Sequence, residues 1–159
     1  VRIKVFKAPG MLFSFAKAKA GILAFTALFT LIACSIPNLE PQDCTDSRTA
    51  LREFYSFHFG NDMRFSLDNL KLRHPFLTES LFQSIANSTP GTDPFTVGTD
   101  DFPKAFRVGA CKIANDGNPL FEVLLFWKDD RRSEQRSIWV SMRKQNDKWL
   151  VDKISQVKQ

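Results

Sequence analysis

Chemistry in this chain has few places to start. Its three cysteines, Cys34, Cys44 and Cys111, could take a lipid, form a disulfide or bind a metal. The two histidines, His58 and His74, stand apart from any cluster of thiols or carboxylates at metal-ligand spacing, so neither a metal site nor a cofactor is expected. No nucleophile elbow, phosphate-binding loop or paired-carboxylate motif is present. What the thiols do depends on the segments that carry them.

Cys34 closes an apolar run. Residues Ala20 to Ala33 hold no charge and follow Lys17 and Lys19, the pattern of a secretion signal with a positive head and an apolar body. As a helix these 14 residues would span about 21 Å, short of the ~30 Å hydrocarbon core. Extending the run through Ile36 gives 17 residues, the lower limit for a spanning helix, so a signal anchor is the alternative. Met11 stands just before this pattern, and both a start at Met11 and an alternative start at Val1 are compatible with it.

The segment Leu31-Ile32-Ala33-Cys34 resembles the lipobox of bacterial lipoproteins: branched apolar residues, a small residue, then cysteine. The resemblance implies cleavage after Ala33 and acylation of Cys34, which would tether the mature chain to the cell envelope. Two or three acyl chains on one residue give stable anchoring, where a single chain binds only marginally. Ser35 in the following position implies outer-membrane sorting, with the domain facing the periplasm.

With Cys34 assigned to lipid, Cys44 and Cys111 remain as an even pair in an oxidising compartment, where a disulfide is expected. The alternative for Cys111 is a buried small hydrophobe in a strand. Charge follows the same division. Of 22 basic residues, five (Arg2, Lys4, Lys7, Lys17 and Lys19) precede Cys34, which leaves 17 against 17 acidic residues in the remainder. The net charge of +5 therefore belongs to the leader, and nucleic acid is not an expected partner.

The expected organisation is a signal peptide over 1–33, a lipidated tether over 34–44 and one α+β domain over 45–159. Pro37 and Pro41 mark the tether. Thr45, Asp46 and Ser47 are competent N-caps, and Leu51, Phe54, Tyr55 and His58 then follow helical spacing up to Gly60. A second helix is expected over about 66–72, stopped by His74-Pro75, and a third from Thr78 to about Asn87. Beyond residue 104 the pattern alternates, giving strands at about 105–114, 120–128, 134–144 and 149–156. Both alternating sets of the second strand are apolar, which places it inside the sheet. The charged run Lys128-Asp129-Asp130-Arg131-Arg132 reads as a solvated hairpin tip.

Three features together resemble the nuclear transport factor two-like, or ketosteroid-isomerase-like, fold of an uncharacterised exported bacterial family. They are the opening helix Leu51-Arg52-Glu53-Phe54-Tyr55, the segment from Asp93-Pro94-Phe95 to Asp100-Asp101-Phe102-Pro103, and the closing strand Lys148 to Ile154. The resemblance covers about 45–157 and implies helices packed on a curved four-stranded antiparallel sheet, cone-shaped, with a cavity at its open end. Enzymes on that fold place a tyrosine, aspartates or a histidine in the cavity, so Tyr55, His58, Asp93, Asp100 and Asp101 are the candidate pocket residues here. Their positions do not align with the enzymes' catalytic residues, and no catalytic role carries over. The leading expectation is a non-enzymatic lipoprotein that binds a small apolar ligand or an envelope protein, for which 16 Phe and three Trp supply material. The alternative is an isomerase- or dehydratase-type cavity enzyme using Tyr55 and a loop aspartate.

Overall fold

The computed structural model describes residues 40–98, 101–128, 130 and 132–156. Cys34, Asp100, Asp129 and Arg131 lie outside the described residues.

The opening helix, α1, runs Gln42–Phe59. Cys44, Ser47, Leu51, Phe54, Tyr55 and His58 are buried along it at intervals of one to four residues, a single stripe facing the core. The helix starts earlier than its polar residues suggest: Pro41 is the N-cap and offers no side-chain cap, while Thr45, Asp46 and Ser47 lie inside. Part of the expected tether is therefore helical. Tertiary contacts override the capping signal there, because Cys44 is buried and Arg48 pairs with Glu40. The Gly60 N–H closes the far end on Ser56 O at 3.0 Å.

Helix α2 spans Leu67–Arg73, with the Ser66 hydroxyl accepting from Asn69 N. Pro75 does not stop the chain outright; it tightens into a 3-10 turn at His74–Phe76, where the missing proline N–H has no ladder partner to lose. Helix α3 covers Glu79–Ser88 and begins at Thr78, whose side chain accepts from Leu81 N. It ends where Thr89 turns left-handed at φ 41°.

The strands are β1 (Ala105–Ile113), β2 (Pro119–Lys128), β3 (Ser133–Gln145) and β4 (Lys148–Gln156). They form one antiparallel sheet in the order β1-β2-β3-β4, so β2 is interior, as its two apolar faces require. Asn146 and Asp147 take φ values of 48° and 62° in the two-residue turn between β3 and β4, the left-handed pair that matches strand twist. The α+β class is thereby established, with three α-helices and an open four-stranded sheet among the described residues.

Phe121, Val123, Leu125 and Trp127 of β2 meet Ile138, Val140 and Met142 of β3 beneath Leu51, Phe54 and Tyr55 of α1. Each such side chain stabilises the fold by roughly 1.5–3 kcal/mol on burial. Leu120, Leu124 and Phe126, the other face of β2, lie outside this cluster, though Leu124 is 6% exposed.

Cys44 and Cys111 form a disulfide that joins α1 to β1, with Cα atoms 5.9 Å apart across 67 residues of sequence. A bulge in β1 sets Gly109 and Ala110 against Glu122 alone. Arg48 fills this corner: Nη1 donates to Gly109 O at 2.7 Å and Val108 O at 3.3 Å, and the guanidinium lies 5.1 Å from the Phe121 ring centroid. The head of α1 is thus held by a covalent bond and a multidentate arginine together.

Candidate functional site

Four of the buried polar groups, His58, Arg73, Asp93 and Thr96, lie together. Asp93 sits in the segment after α3, where its Oδ1 accepts from Phe95 N at 3.0 Å, a local turn that the sequence Asp-Pro-Phe favours. Its Oδ2 accepts from the Thr96 hydroxyl at 2.9 Å and lies 2.9 Å from His58 Nε2. On the other side of the ring, Arg73 Nε donates to His58 Nδ1 at 2.8 Å. A guanidinium has donors and no acceptor, so Nδ1 must offer its lone pair. The ring proton therefore resides on Nε2 and is donated to Asp93, and the imidazole is neutral.

Arg73 completes its set through Nη1 to Asn69 O at 2.7 Å and Nη2 to Asp62 O at 2.8 Å. His58, Arg73, Asp93 and Thr96 are all 2% exposed or less. Burial pulls the Arg73 guanidinium down from its usual pKa, and Asp93 and Asp62 act against that pull. The arrangement is an ion pair relayed through a neutral ring, with each of the three Arg73 nitrogens bonded to an acceptor.

Tyr55 lies one helical turn before His58, and its hydroxyl donates to Phe95 O at 3.0 Å. The ring is fully buried against Phe54 and Phe106. Burial, and then the Asp93 charge, push its pKa well above the ordinary phenol value, so the hydroxyl stays protonated.

Tyr55, His58 and Asp93 are thus brought together, whereas Asp101 belongs to a different group. Its carboxylate pairs with Arg132 and its carbonyl accepts from Trp127 Nε1 at 2.7 Å. Glu134 pairs with both Arg132 and Arg136, whose guanidinium groups lie 5.6 and 5.3 Å from the Trp127 ring centroid. The charges near this hairpin largely compensate one another.

A cleft borders the His58 group, lined by Met63, Phe65 and Leu70 with polar Arg64, Ser66 and Asn69 between them, and by Pro94 and Phe95, with a volume of about 10 Å³. That is the space of one water. A general base needs a free lone pair within reach of a substrate proton. Here both ring nitrogens are engaged, the tyrosine hydroxyl is committed to a carbonyl, and the cleft that the described residues form beside them holds about one water. As for metals, ligand atoms of Glu40, Cys44 and Cys111 lie within 4.8 Å of one another. A metal binds the thiolate, and these two sulfurs are bonded to each other.

Sequence reasoning found three members of this group and missed Arg73, Thr96 and the clamp at Arg48. Arg73 carried one usable signal: it falls three residues after Leu70 on the same helix face, and an arginine on a buried face needs partners.

Comparison with protein-family models gives no match, and comparison with curated proteins gives none either.

Proposed function

We propose that this chain is a lipid-anchored protein of the bacterial cell envelope, tethered through Cys34 and directed by Ser35 to the outer membrane, whose domain binds a partner without chemistry. One observation carries the non-catalytic part: Tyr55, His58, Arg73 and Asp93 spend their hydrogen-bonding capacity on one another and on nearby backbone. The cleft beside this group, formed by the described residues, has room for about one water, which favours an envelope protein at the surface over a small apolar ligand. Exposed Leu67, Leu72 and Ile113, with half-buried Leu120 and Phe126 on the second face of β2, supply apolar surface for such a partner. The order of three helices followed by an antiparallel meander supports the reading as a cone-shaped, nuclear transport factor two-like domain.

Mass spectrometry of the membrane fraction from cells expressing the full chain tests the anchor. The expected product begins at acylated Cys34, and Cys34→Ser removes the acylation. Retention of the intact leader would replace the lipid anchor with a signal anchor. Native mass spectrometry of the purified protein at neutral pH tests the preference for a protein partner: a bare mass is expected, and a retained small molecule would return the reading to ligand binding.

A further inference from the structure

The buried group around His58 is held together by the position of one proton. We propose that His58 is a proton-operated latch: a second proton on its ring expels Arg73 and opens the cleft between the α1–α2 connection and the segment containing Asp93. This inference concerns the fold alone and does not rest on the lipid anchor or on the partner.

The geometry makes the response one-sided. With Nδ1 protonated, an N–H would face the Arg73 Nε–H across 2.8 Å, and both groups would be cationic. Arg73 must then withdraw. Across the ring, Nε2 still donates to Asp93 at 2.9 Å, and an imidazolium binds that carboxylate more strongly than a neutral ring does. The Asp93 side therefore tightens while the Arg73 side lets go.

Other groups near the ring do not cancel this effect. Tyr55, on the same helix, presents its ring edge-on at 6.4 Å and directs its hydroxyl to Phe95 O. Phe54, Phe59 and Phe95 pack at 5.9, 5.9 and 5.2 Å between centroids and carry no charge. Asp62 meets Arg73 through its carbonyl, while its carboxylate lies 3.5 Å from exposed Arg64.

What Arg73 holds determines what opens. Its two remaining contacts fix Asn69 O in α2 and Asp62 O in the connection before it. Releasing Arg73 frees that side, which carries Met63, Phe65 and Leu70, from Pro94 and Phe95 opposite. The surface uncovered carries these apolar side chains beside Ser66 and Asn69, and would admit an amphipathic guest larger than the one-water space of the closed cleft.

The test uses the full-length protein in detergent. Nitrogen NMR of His58 should show the Nε2–H tautomer at neutral pH, and an acid titration followed by the same signals marks the entry of a second proton. Hydrogen exchange, corrected for the intrinsic pH effect, should rise several-fold over 62–73 in step with that proton, while 91–98 keeps its protection and a hydrophobic dye begins to bind. His58→Gln keeps one donor and one acceptor without titrating, and should stay closed; His74→Gln should respond as the wild type does. A second proton on His58 with 62–73 still protected would overturn the latch. So would an Nδ1–H tautomer at neutral pH, or the same acid opening in His58→Gln. If that variant does not fold, the paired NMR and exchange measurements on the wild type decide alone.

Discussion

The Thr78 hydroxyl donates to Asp152 Oδ1 at 3.1 Å while accepting from Leu81 N at 3.3 Å, so one side chain both starts α3 and fastens it to β4, 74 residues away. Thr78 N also donates to Val151 O at 2.9 Å, extending the contact along the strand.

Thr78→Val should therefore lose a cap and leave the buried Asp152 carboxylate with Arg143 as its remaining side-chain partner. A loss of about 1–3 kcal/mol is expected in urea unfolding. Thr78→Ser should recover most of it. A neutral result for valine would mean that the cap and the strand contact are independent of this hydroxyl.

Tyr55 gives an alkaline prediction. Its pKa in the folded protein is raised above the unfolded value of about 10. The buried neutral phenol thus favours folding fully below about pH 10, and that contribution is lost as pH climbs through the raised value. Because the chain holds one tyrosine, phenolate absorbance reports this site alone. It should appear only as the protein unfolds. Tyr55→Phe should lower stability at neutral pH by about 1–2 kcal/mol, since Phe95 O loses its donor, and should weaken the alkaline transition.

Reduction of the Cys44–Cys111 bond should destabilise the domain by about 4 kcal/mol on the loop-entropy estimate for a separation of 67 residues. Denaturant melts with and without a thiol reductant measure this directly. Cys44→Ala/Cys111→Ala should reproduce the reduced midpoint, and coincidence of oxidised and reduced curves would contradict it.

Asp147→Gly should stabilise the protein by up to about 1 kcal/mol, because glycine takes the observed φ of 62° without the steric penalty of a side chain. The exposed contact from Lys144 to Asp147, at 3.6 Å, contributes little that would be lost. A lowered melting temperature would show that the aspartate is needed in this turn.

The sheet was legible because its signals are local. Alternation and turn residues placed all four strands within one or two residues of their observed ends, and the doubly apolar β2 lies inside the sheet. The start of α1 was not legible: Pro41-Gln42-Asp43 has the composition of a linker, and the contacts that fold it come from Cys111, Val108 and Gly109, far along the chain. The same holds for the His58 group. Helical spacing put Tyr55 and His58 on the core face, and Asp93 entered as a pocket candidate through the resemblance carried by Asp93-Pro94-Phe95. That Arg73 inserts beside the ring, and so fixes its tautomer, depends on how α2 packs against α1, which no local pattern encodes.

The crosslink at the head of α1 also sets a path for mechanical load. Tension entering ahead of Glu40 meets Cys44 within the first turn of α1, and the covalent bond passes it directly to Cys111 in β1. The chain between those cysteines, which includes most of α1, α2, α3 and the Asp93 segment, is shunted out of the pull. A drag on the N-terminal end would strain the β1–β2 pairing first, and the His58 group would feel it only after that hairpin had failed.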